Sequence, residues 1–183
     1  TQSIYLGIIY KLEGNPIIKQ LIRDLIARQN KDGGWSSLAD ETESCIWSTM
    51  FLLWTLGQSE NFKKNRALKT GLKYLEENAL QADKSKLLPG MQAWDTLTVG
   101  TAGLSMISGG TLRYLEILQL LTGDSHDRKT DKLLNWLLDA QLKSGLWPSI
   151  VGRDRRGDHG VSLRALKVLK HFQTLRVNET LAY

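Results

Sequence analysis

The stretch "ARQNKDGGWSS" at residues 27–37 decides the fold, because it carries the pattern Gln-x-x-x-Gly-x-Trp, which returns in "DAQLKSGLWPS" at residues 139–149. The glycines let the chain reverse within a few residues, where we expect positive φ. A Gln at a helix end offers both an amide donor and a carbonyl acceptor to the neighbouring backbone. A Trp that follows the turn can lie against that amide and the helix end. We therefore predict two structural clamps that tie helical hairpins together. Their residues are Gln29, Gly33 and Trp35, and Gln141, Gly145 and Trp147.

The bulk composition fits one globular domain, or a fragment of one, over residues 1–183, with 42% hydrophobic residues available for a core. Lys and Arg exceed Asp and Glu by 24 to 19, a net charge of +5 that is scattered along the chain. Scattered charges indicate solvated helix faces, and the alternative is a mild attraction to anionic membrane surfaces. A nucleic-acid interface would need the basic residues concentrated on one face, so we do not expect one. The single Cys45 excludes an internal disulfide and fits a reducing, cytoplasmic compartment.

Helices are predicted along almost the whole chain, because apolar residues recur every three or four positions and Pro occurs only 3 times. Pro16 stands just inside a helix start, where its missing N–H costs nothing. The sequence therefore predicts an all-α fold. The predicted helices are 2–13, 16–29, 40–57, 62–80, 93–107, 111–122, 128–142 and 158–173.

A third, degenerate unit lies between the two clamps, since "KYLEEN" around Tyr74 resembles "NWLLDA" around Trp136 without the Gln or the Trp. After each unit we expect a new helix to open on an acidic residue: Asp40, Asp95 or Asp158. Carboxylates at a first turn accept hydrogen bonds from unpaired N–H groups and complement the positive helix end. The predicted plan is helix, tight turn and helix, repeated.

These residues resemble the QW motifs of the terpene cyclases that act on squalene and related polyprenoids, the second in the fuller form "WLLDAQLKSGLW". The run "QAWDTLTVGTAGL" is similar to the Trp-Asp-Thr helix start of squalene-hopene and oxidosqualene cyclases. The resemblance covers most of residues 16–173. It implies an α/α toroid of inner and outer helices, here a partial one, because the complete toroid needs more helices than we predict. The remaining helices of the toroid would come from a longer chain or from a second copy in a homo-oligomer.

The resemblance also implies an acid that protonates an alkene or epoxide in a dry cavity. Enzymes of the squalene-hopene type carry Asp-x-Asp-Asp-Thr for this purpose. The best match here is 38–42, where Asp40 and Glu41 fill the later positions and Leu38 replaces the first Asp. Asp158, after the second QW motif, is the other candidate. For both Asp40 and Asp158, the alternative is a carboxylate that caps a helix.

Aromatic residues are the predicted substrate-binding groups, since their faces stabilise cations. Trp94 stands beside Asp95, a further candidate acid for which a helix cap with a packed Trp is the favoured interpretation. Trp47 and Trp54 fall on one predicted helix at helical spacing, and a stripe of this kind is more often core than a cation-binding wall.

Three function classes follow. The first is a class II terpene cyclase-like protein that starts isoprenoid cyclisation by protonation, with no cofactor and no metal. The second is a non-catalytic helical-repeat module that binds a lipid or protein partner, with peripheral membrane contact as one form. The third, a zinc prenyltransferase, is excluded because Cys45, His126, His159 and His171 have no ligand spacing. Magnesium-dependent ionisation is excluded because the sequence has no Asp-Asp-x-x-Asp cluster.

Overall fold

The computed structural model describes residues 2–37, 42–81, 94–101, 104–122 and 127–181, and this part of the chain is mostly helical. The all-α character predicted from the sequence is confirmed, with two small antiparallel pairs of strands added. The toroid stays a prediction. The helices are α1 (Gln2–Ile9), α2 (Pro16–Ala27), α3 (Ile46–Gly57), α4 (Arg66–Asn78), α5 (Gly110–Leu121), α6 (Arg128–Asp139) and α7 (His159–Leu181). The strands are β1 (Thr98–Thr101), β2 (Leu104–Ser108), β3 (Trp147–Pro148) and β4 (Gly157–Asp158).

The contacts divide the chain into two compact units, Thr1–Ala79 and Leu80–Tyr183. The first unit holds α1 to α4, and the second holds both strand pairs and α5 to α7. The single domain over residues 1–183 stays a prediction. No helix in the described part of the chain is both long and apolar enough to cross a bilayer.

Helices α2, α4 and α6 begin in the same way, on an Asn or Asp whose side chain caps the first turn. The side chain of Asn15 accepts a hydrogen bond from the N–H of Ile17, and that of Asn65 from the N–H of Ala67. Asp127 accepts from the N–H groups of two residues of α6, and the backbone hydrogen bond from Thr130 is the main cause that lowers the pKa of this carboxyl. All three helices therefore have one of the unpaired N–H groups of their first turn bonded by the residue that precedes the helix.

The helix predicted over residues 93–107 is wrong. Within the described residues, this stretch forms a turn and an antiparallel hairpin, in which Thr98 pairs with Ser108 and Val99 with Ile107. The β-branched residues and glycines of "TLTVGTAGLSMISGG" explain the difference, since both residue types weaken a helix and β-branched side chains favour strands. Asp95 therefore does not cap a helix.

Several helix ends also differ from the prediction. The helix predicted from residue 40 begins at Ile46, because Cys45 is extended and its N–H donates to the carbonyl of Trp35 at 2.8 Å. The first helix ends at Ile9, just before Lys11 adopts a φ of 57°. The last helix continues to Leu181, beyond its predicted end.

In the second unit, an ion-pair network ties α5 to α7. Arg164 on α7 donates from Nε and Nη2 to the two carboxylate oxygens of Glu116 on α5, at 2.6 and 2.8 Å. Arg113 of α5 reaches the same carboxylate at 2.8 Å. Two-point guanidinium–carboxylate pairs have a fixed geometry, so the network sets how the two helices lie against each other.

Close backbone approach positions α4 in the first unit. A Cβ on Gly71 of α4 would lie 2.7 Å from Cζ3 of Trp35 and 3.0 Å from Cδ2 of Leu53. A Cβ on Gly33, whose φ is +93°, would lie 2.6 Å from the carbonyl oxygen of Thr70. Only glycines allow α4 to lie this close to the first Gln-x-x-x-Gly-x-Trp segment, so α4 covers that segment directly.

Gly71→Leu should destabilise the first unit, because the new side chain enters space filled by Trp35 and Leu53. Overpacking of this kind costs about 1–3 kcal/mol, measured as the free energy of unfolding in urea. Gly14→Ala is the matched control, since a Cβ there would meet no atom of the described chain within 4 Å. A Gly71→Leu variant as stable as the Gly14→Ala variant would contradict the close packing of α4.

Candidate functional site

The first of the two predicted clamps, residues 29–35, is called the first latch from here on. It closes the turn between α2 and α3 by side-chain hydrogen bonds to the backbone. Gln29 Nε2 donates to the carbonyls of Gly33 and Ala67 at 2.7 and 2.8 Å. The indole Nε1 of Trp35 donates to the carbonyl of Leu25, in the last turn of α2, at 2.9 Å. Only 2% of Trp35 is exposed. The latch therefore joins the end of α2, its own turn and the first turn of α4.

The second latch, residues 141–147, repeats this geometry between α6 and α7. Gln141 Nε2 donates to the carbonyl of Gly145 at 2.7 Å, and Trp147 Nε1 donates to the carbonyl of Leu137 at 2.7 Å. Gly145 has a φ of +83° and Trp147 is buried. The amide hydrogen bonds and positive φ angles expected from the sequence are thus present in both latches.

A hydroxyl group from the following helix completes each latch, and the sequence reasoning missed it. The backbone N–H of Trp35 donates to Thr49 Oγ1, and that of Trp147 donates to Ser162 Oγ, both at 2.9 Å. Both hydroxyl residues are buried. The signal was present in the sequence, because Thr49 and Ser162 stand at almost equal distances after the two Trp residues.

The two latches differ in how far their Gln side chains are buried. Gln29 is partly buried and uses two acceptors, whereas Gln141 is exposed. In the first unit the second acceptor is the carbonyl of Ala67 in α4. Gln141 donates only to the carbonyl of Gly145, in its own turn. The Gln side chain is therefore half-buried in the first latch and exposed in the second, while the Trp is buried in both.

Gln29→Leu should cost more stability than Gln141→Leu. The first change removes two hydrogen bonds at a partly buried site, worth about 0.5–1.5 kcal/mol each, and leaves two carbonyls short of a donor. The second removes one hydrogen bond at an exposed site, where water replaces the lost donor. Urea unfolding of both variants measures the difference, and equal losses would contradict the different enclosure of the two latches.

Asp158 acts as the cap of α7. Its Oδ1 accepts from the N–H of Val161 at 2.9 Å, and its Oδ2 accepts from the hydroxyl of Ser149 at 3.2 Å. Its carbonyl also accepts from the hydroxyl of Ser162 at 2.6 Å. These contacts give Asp158 the capping role that the sequence left as its alternative. Two further candidate acids, Asp40 and Glu41, lie outside the described residues.

Asp95 lies in the turn before β1, in the second unit. It is partly buried, and this burial raises the pKa of its carboxyl above the ordinary range of aspartate. Its carbonyl accepts from the N–H of Val151 at 2.9 Å, and the next residue, Thr96, pairs with Ile150. The segment 149–151 therefore contacts the Asp158 side chain at Ser149 and the Asp95 backbone at Val151. The sequence alone did not predict that the two acids would share this segment.

Trp94 precedes Asp95 in the chain. It is 3% exposed, and its ring meets that of Tyr114 edge-on with centroids 5.9 Å apart. Its carbonyl accepts from the N–H of Thr111, which fixes it against the start of α5. Its indole N–H is buried and meets no acceptor among the described residues. Asp95 thus follows a buried Trp whose ring packs against that of Tyr114.

The other predicted substrate-binding residues, Trp47 and Trp54, lie in the first unit on α3. Trp47 is 9% exposed and belongs to the core. Trp54 stacks on Tyr5 of α1, with ring centroids 5.1 Å apart. These positions make both residues part of the packing of α3.

No cluster of three or more His, Cys, Asp or Glu residues in the described ranges could hold a metal ion. Cys45 is a buried free thiol, and His171 packs edge-on against Phe172. Comparison of the chain with protein-family models, with curated proteins and with solved structures finds no match. The likeness to terpene cyclases therefore rests on the motifs quoted above.

The pKa of Asp95 predicts a specific pH dependence. Since the folded pKa is raised, the stabilisation from the bound proton is complete below the unfolded pKa and is lost as pH rises through the folded pKa. Between these two values, wild-type stability should fall relative to that of Asp95→Asn. Urea unfolding of both proteins at a series of pH values measures this, and carboxyl NMR titration gives the pKa itself. Parallel stability curves would contradict the raised pKa.

Proposed function

We propose that the chain is a class II terpene cyclase-like protein, or part of such an enzyme, in which Asp95 starts the cyclisation of a linear isoprenoid by protonation. The observation that carries this proposal is a partly buried carboxyl with a raised pKa that follows Trp94 in the chain, the buried ring of which packs against Tyr114. The two latches support it as the structural part of the resemblance.

The chemistry needs a carboxyl that still carries its proton when the substrate is bound, because only the undissociated acid can donate to an alkene. A raised pKa widens the pH range over which the Asp95 carboxyl is protonated. The O–H proton of Asp95 adds to one alkene carbon, and the π electrons of the next double bond close a carbon–carbon bond onto the resulting cation. A final proton loss to a base restores neutrality, so the product is an isomer of the substrate.

The neighbours of Asp95 fit two supporting roles. In this proposal the π electrons of the Trp94 and Tyr114 rings stabilise the cation that the proton transfer creates. Asp158 is held by Val161 and Ser149, so in this proposal it positions the segment 149–151 and does not donate the proton. The homo-oligomer, the remainder of a longer chain and the peripheral membrane contact stay predictions.

Deuterium incorporation tests the proposed reaction. The purified protein is incubated in D2O with squalene or a shorter polyprenyl substrate, and the cyclised product is analysed by mass spectrometry. We expect slow turnover from this chain alone, and a product that carries one deuterium from the solvent. Asp95→Asn should remove the product, whereas Asp158→Glu, which keeps a capping carboxylate, should retain it.

Two results would contradict the assignment of the acid. The first is a product that survives in Asp95→Asn and disappears in Asp40→Asn, which would move the proton donor to Asp40. The second is the absence of deuterated product from every substrate, together with a folded wild-type protein by circular dichroism. That result would leave the second candidate function.

The second candidate is a non-catalytic helical-repeat module that binds a partner. A specific observation favours it: an open groove of about 460 Å³ between α6 and α7. The groove is lined mainly by Leu134, Leu138, Leu166, Leu169 and Phe172. Leu138 and Leu166 are about half exposed, at 48% and 55%. An apolar surface of this kind often marks an interaction site.

A further inference from the structure

The loop that joins β3 to β4, residues 149–156, carries three arginines: Arg153, Arg155 and Arg156. All three residues are exposed. In the ranges that the structure describes, their guanidinium groups form no ion pair and no hydrogen bond. The arginines of the α5–α7 network differ, because both bind the carboxylate of Glu116. The loop arginines therefore have their full charge and all their donors available to a partner.

Hydrogen bonds hold this loop in a defined conformation. Asp154 Oδ2 accepts from the N–H of Ile150 at 2.9 Å, and the carbonyl of Ser149 accepts from two N–H groups of the chain that enters β1. The strand pair closes the loop, with Pro148 opposite Gly157. A loop that is already ordered loses less conformational entropy when it binds. The three arginines thus start from a preorganised support.

The acidic side chains near the arginines are engaged in contacts of their own. The Asp154 carboxylate bonds the backbone of its own loop, and the Asp158 carboxylate bonds the N–H of Val161 and the hydroxyl of Ser149. The loop itself contains three Arg and one Asp. Its surface is therefore positive, and no carboxylate of the described chain is paired directly with a loop guanidinium group.

The turn of the second latch adds a fourth positive charge. Lys143 is exposed in this turn, and its ammonium group forms no ion pair in the described part of the chain. The turn meets the end of the loop, since a Cβ on Gly157 would overlap the side chain of Leu146. Arg156 directly precedes Gly157, so Lys143 lies in the turn that contacts the arginine segment. The basic loop surface is defined by four residues: Lys143, Arg153, Arg155 and Arg156.

The repeat indicates that the latch does not need these arginines. In the first unit, residues 37–44 belong to the same connection from a latch Trp to the next helix. Their sequence is "SLADETES", with three acidic residues and no basic one. A connection that occurs with either sign of charge does not select arginines for its conformation. The charge of the basic loop surface therefore points to binding rather than to folding.

We propose that the basic loop surface binds a lipid bilayer that contains anionic phospholipids. An exposed arginine holds a single phosphate weakly, because water and salt screen the pair. A bilayer presents many anionic head groups side by side, and each basic residue near it strengthens binding about fivefold. The arginines can contact several head groups at once, because Arg153 and Arg156 cannot be more than about 11 Å apart along the chain.

Other anionic partners fit this surface less well. A single-stranded nucleic acid is bound by stacking on aromatic side chains, and residues 149–156 contain none. A duplex needs a longer basic stripe along one face of the protein. Binding to a bilayer goes beyond the proposed cyclisation, and it depends neither on that reaction nor on the α6/α7 groove.

Co-sedimentation with vesicles tests the basic loop surface. The full chain is mixed with phosphatidylcholine vesicles that contain phosphatidylserine as about one-third of the lipid, or with vesicles of phosphatidylcholine alone. We expect binding to the anionic vesicles only, because the neutral ones offer no excess negative charge. This binding should weaken as the salt concentration rises.

Two triple variants with the same change in net charge locate the binding surface. One carries Arg153→Gln, Arg155→Gln and Arg156→Gln, and it should bind the anionic vesicles at least about tenfold more weakly. The control carries three substitutions at exposed basic positions of the first unit: Lys64→Gln, Arg66→Gln and Lys69→Gln. The control should bind within about twofold of the wild type, because only charges close to the bilayer contribute. Circular dichroism checks that both variants are folded.

Three outcomes would overturn the proposal. One is an equal loss of binding in both triple variants, which would assign the attraction to the net charge of the chain. Another is equal binding of the wild type to neutral and anionic vesicles, or binding to neither. The third is a duplex oligonucleotide that releases the protein from the vesicles by binding it more tightly. The vesicle assay contains no isoprenoid and the deuterium assay needs no anionic lipid, so the binding surface and the cyclisation can fail separately.

Discussion

The hydrogen bond from a latch indole to the last turn of the preceding helix is the contact on which the rest of the structure depends. Carbonyls at a helix end lack regular partners, and a buried one left without a donor is costly. The indole of Trp147 supplies that donor to the carbonyl of Leu137. The indole of Trp35 is a second donor to the carbonyl of Leu25, which also accepts from the N–H of Arg28 at 3.2 Å. This contact fixes where the chain reverses, so the next helix starts at a set place.

The latches could be predicted from the sequence because most of their hydrogen bonds join residues close in the chain. Gln29 and Gly33 are such a pair. The partners far along the chain could not be predicted, and Ala67, the second acceptor of Gln29, is one of them. The apolar spacing over 93–107 predicts a helix, whereas the β-branched residues and glycines of this stretch favour the strand pair that forms. The cap of Asp158 was foreseen as an alternative, whereas the raised pKa of Asp95 depends on burial that only the structure shows.

The two units show how one local motif serves different ends. In the first unit α4 encloses the latch, and the region has the character of a packed core. In the second unit Trp147 is buried as well, but Gln141 is exposed, and the segment after Trp147 contacts Asp95 and Asp158. The same motif therefore lies under a covering helix in one unit and beside two acidic residues in the other.

The indole N–H proton resonances test the central contact most directly. Trp47 and Trp94 are internal references, since their buried indole N–H groups meet no acceptor among the residues that the structure describes. In NMR spectra of the labelled protein, the indole protons of Trp35 and Trp147 should lie downfield of these references, and they should exchange with D2O the most slowly. Resonances of Trp35 and Trp147 that coincide with those of a solvent-exposed indole and exchange at once would contradict the account.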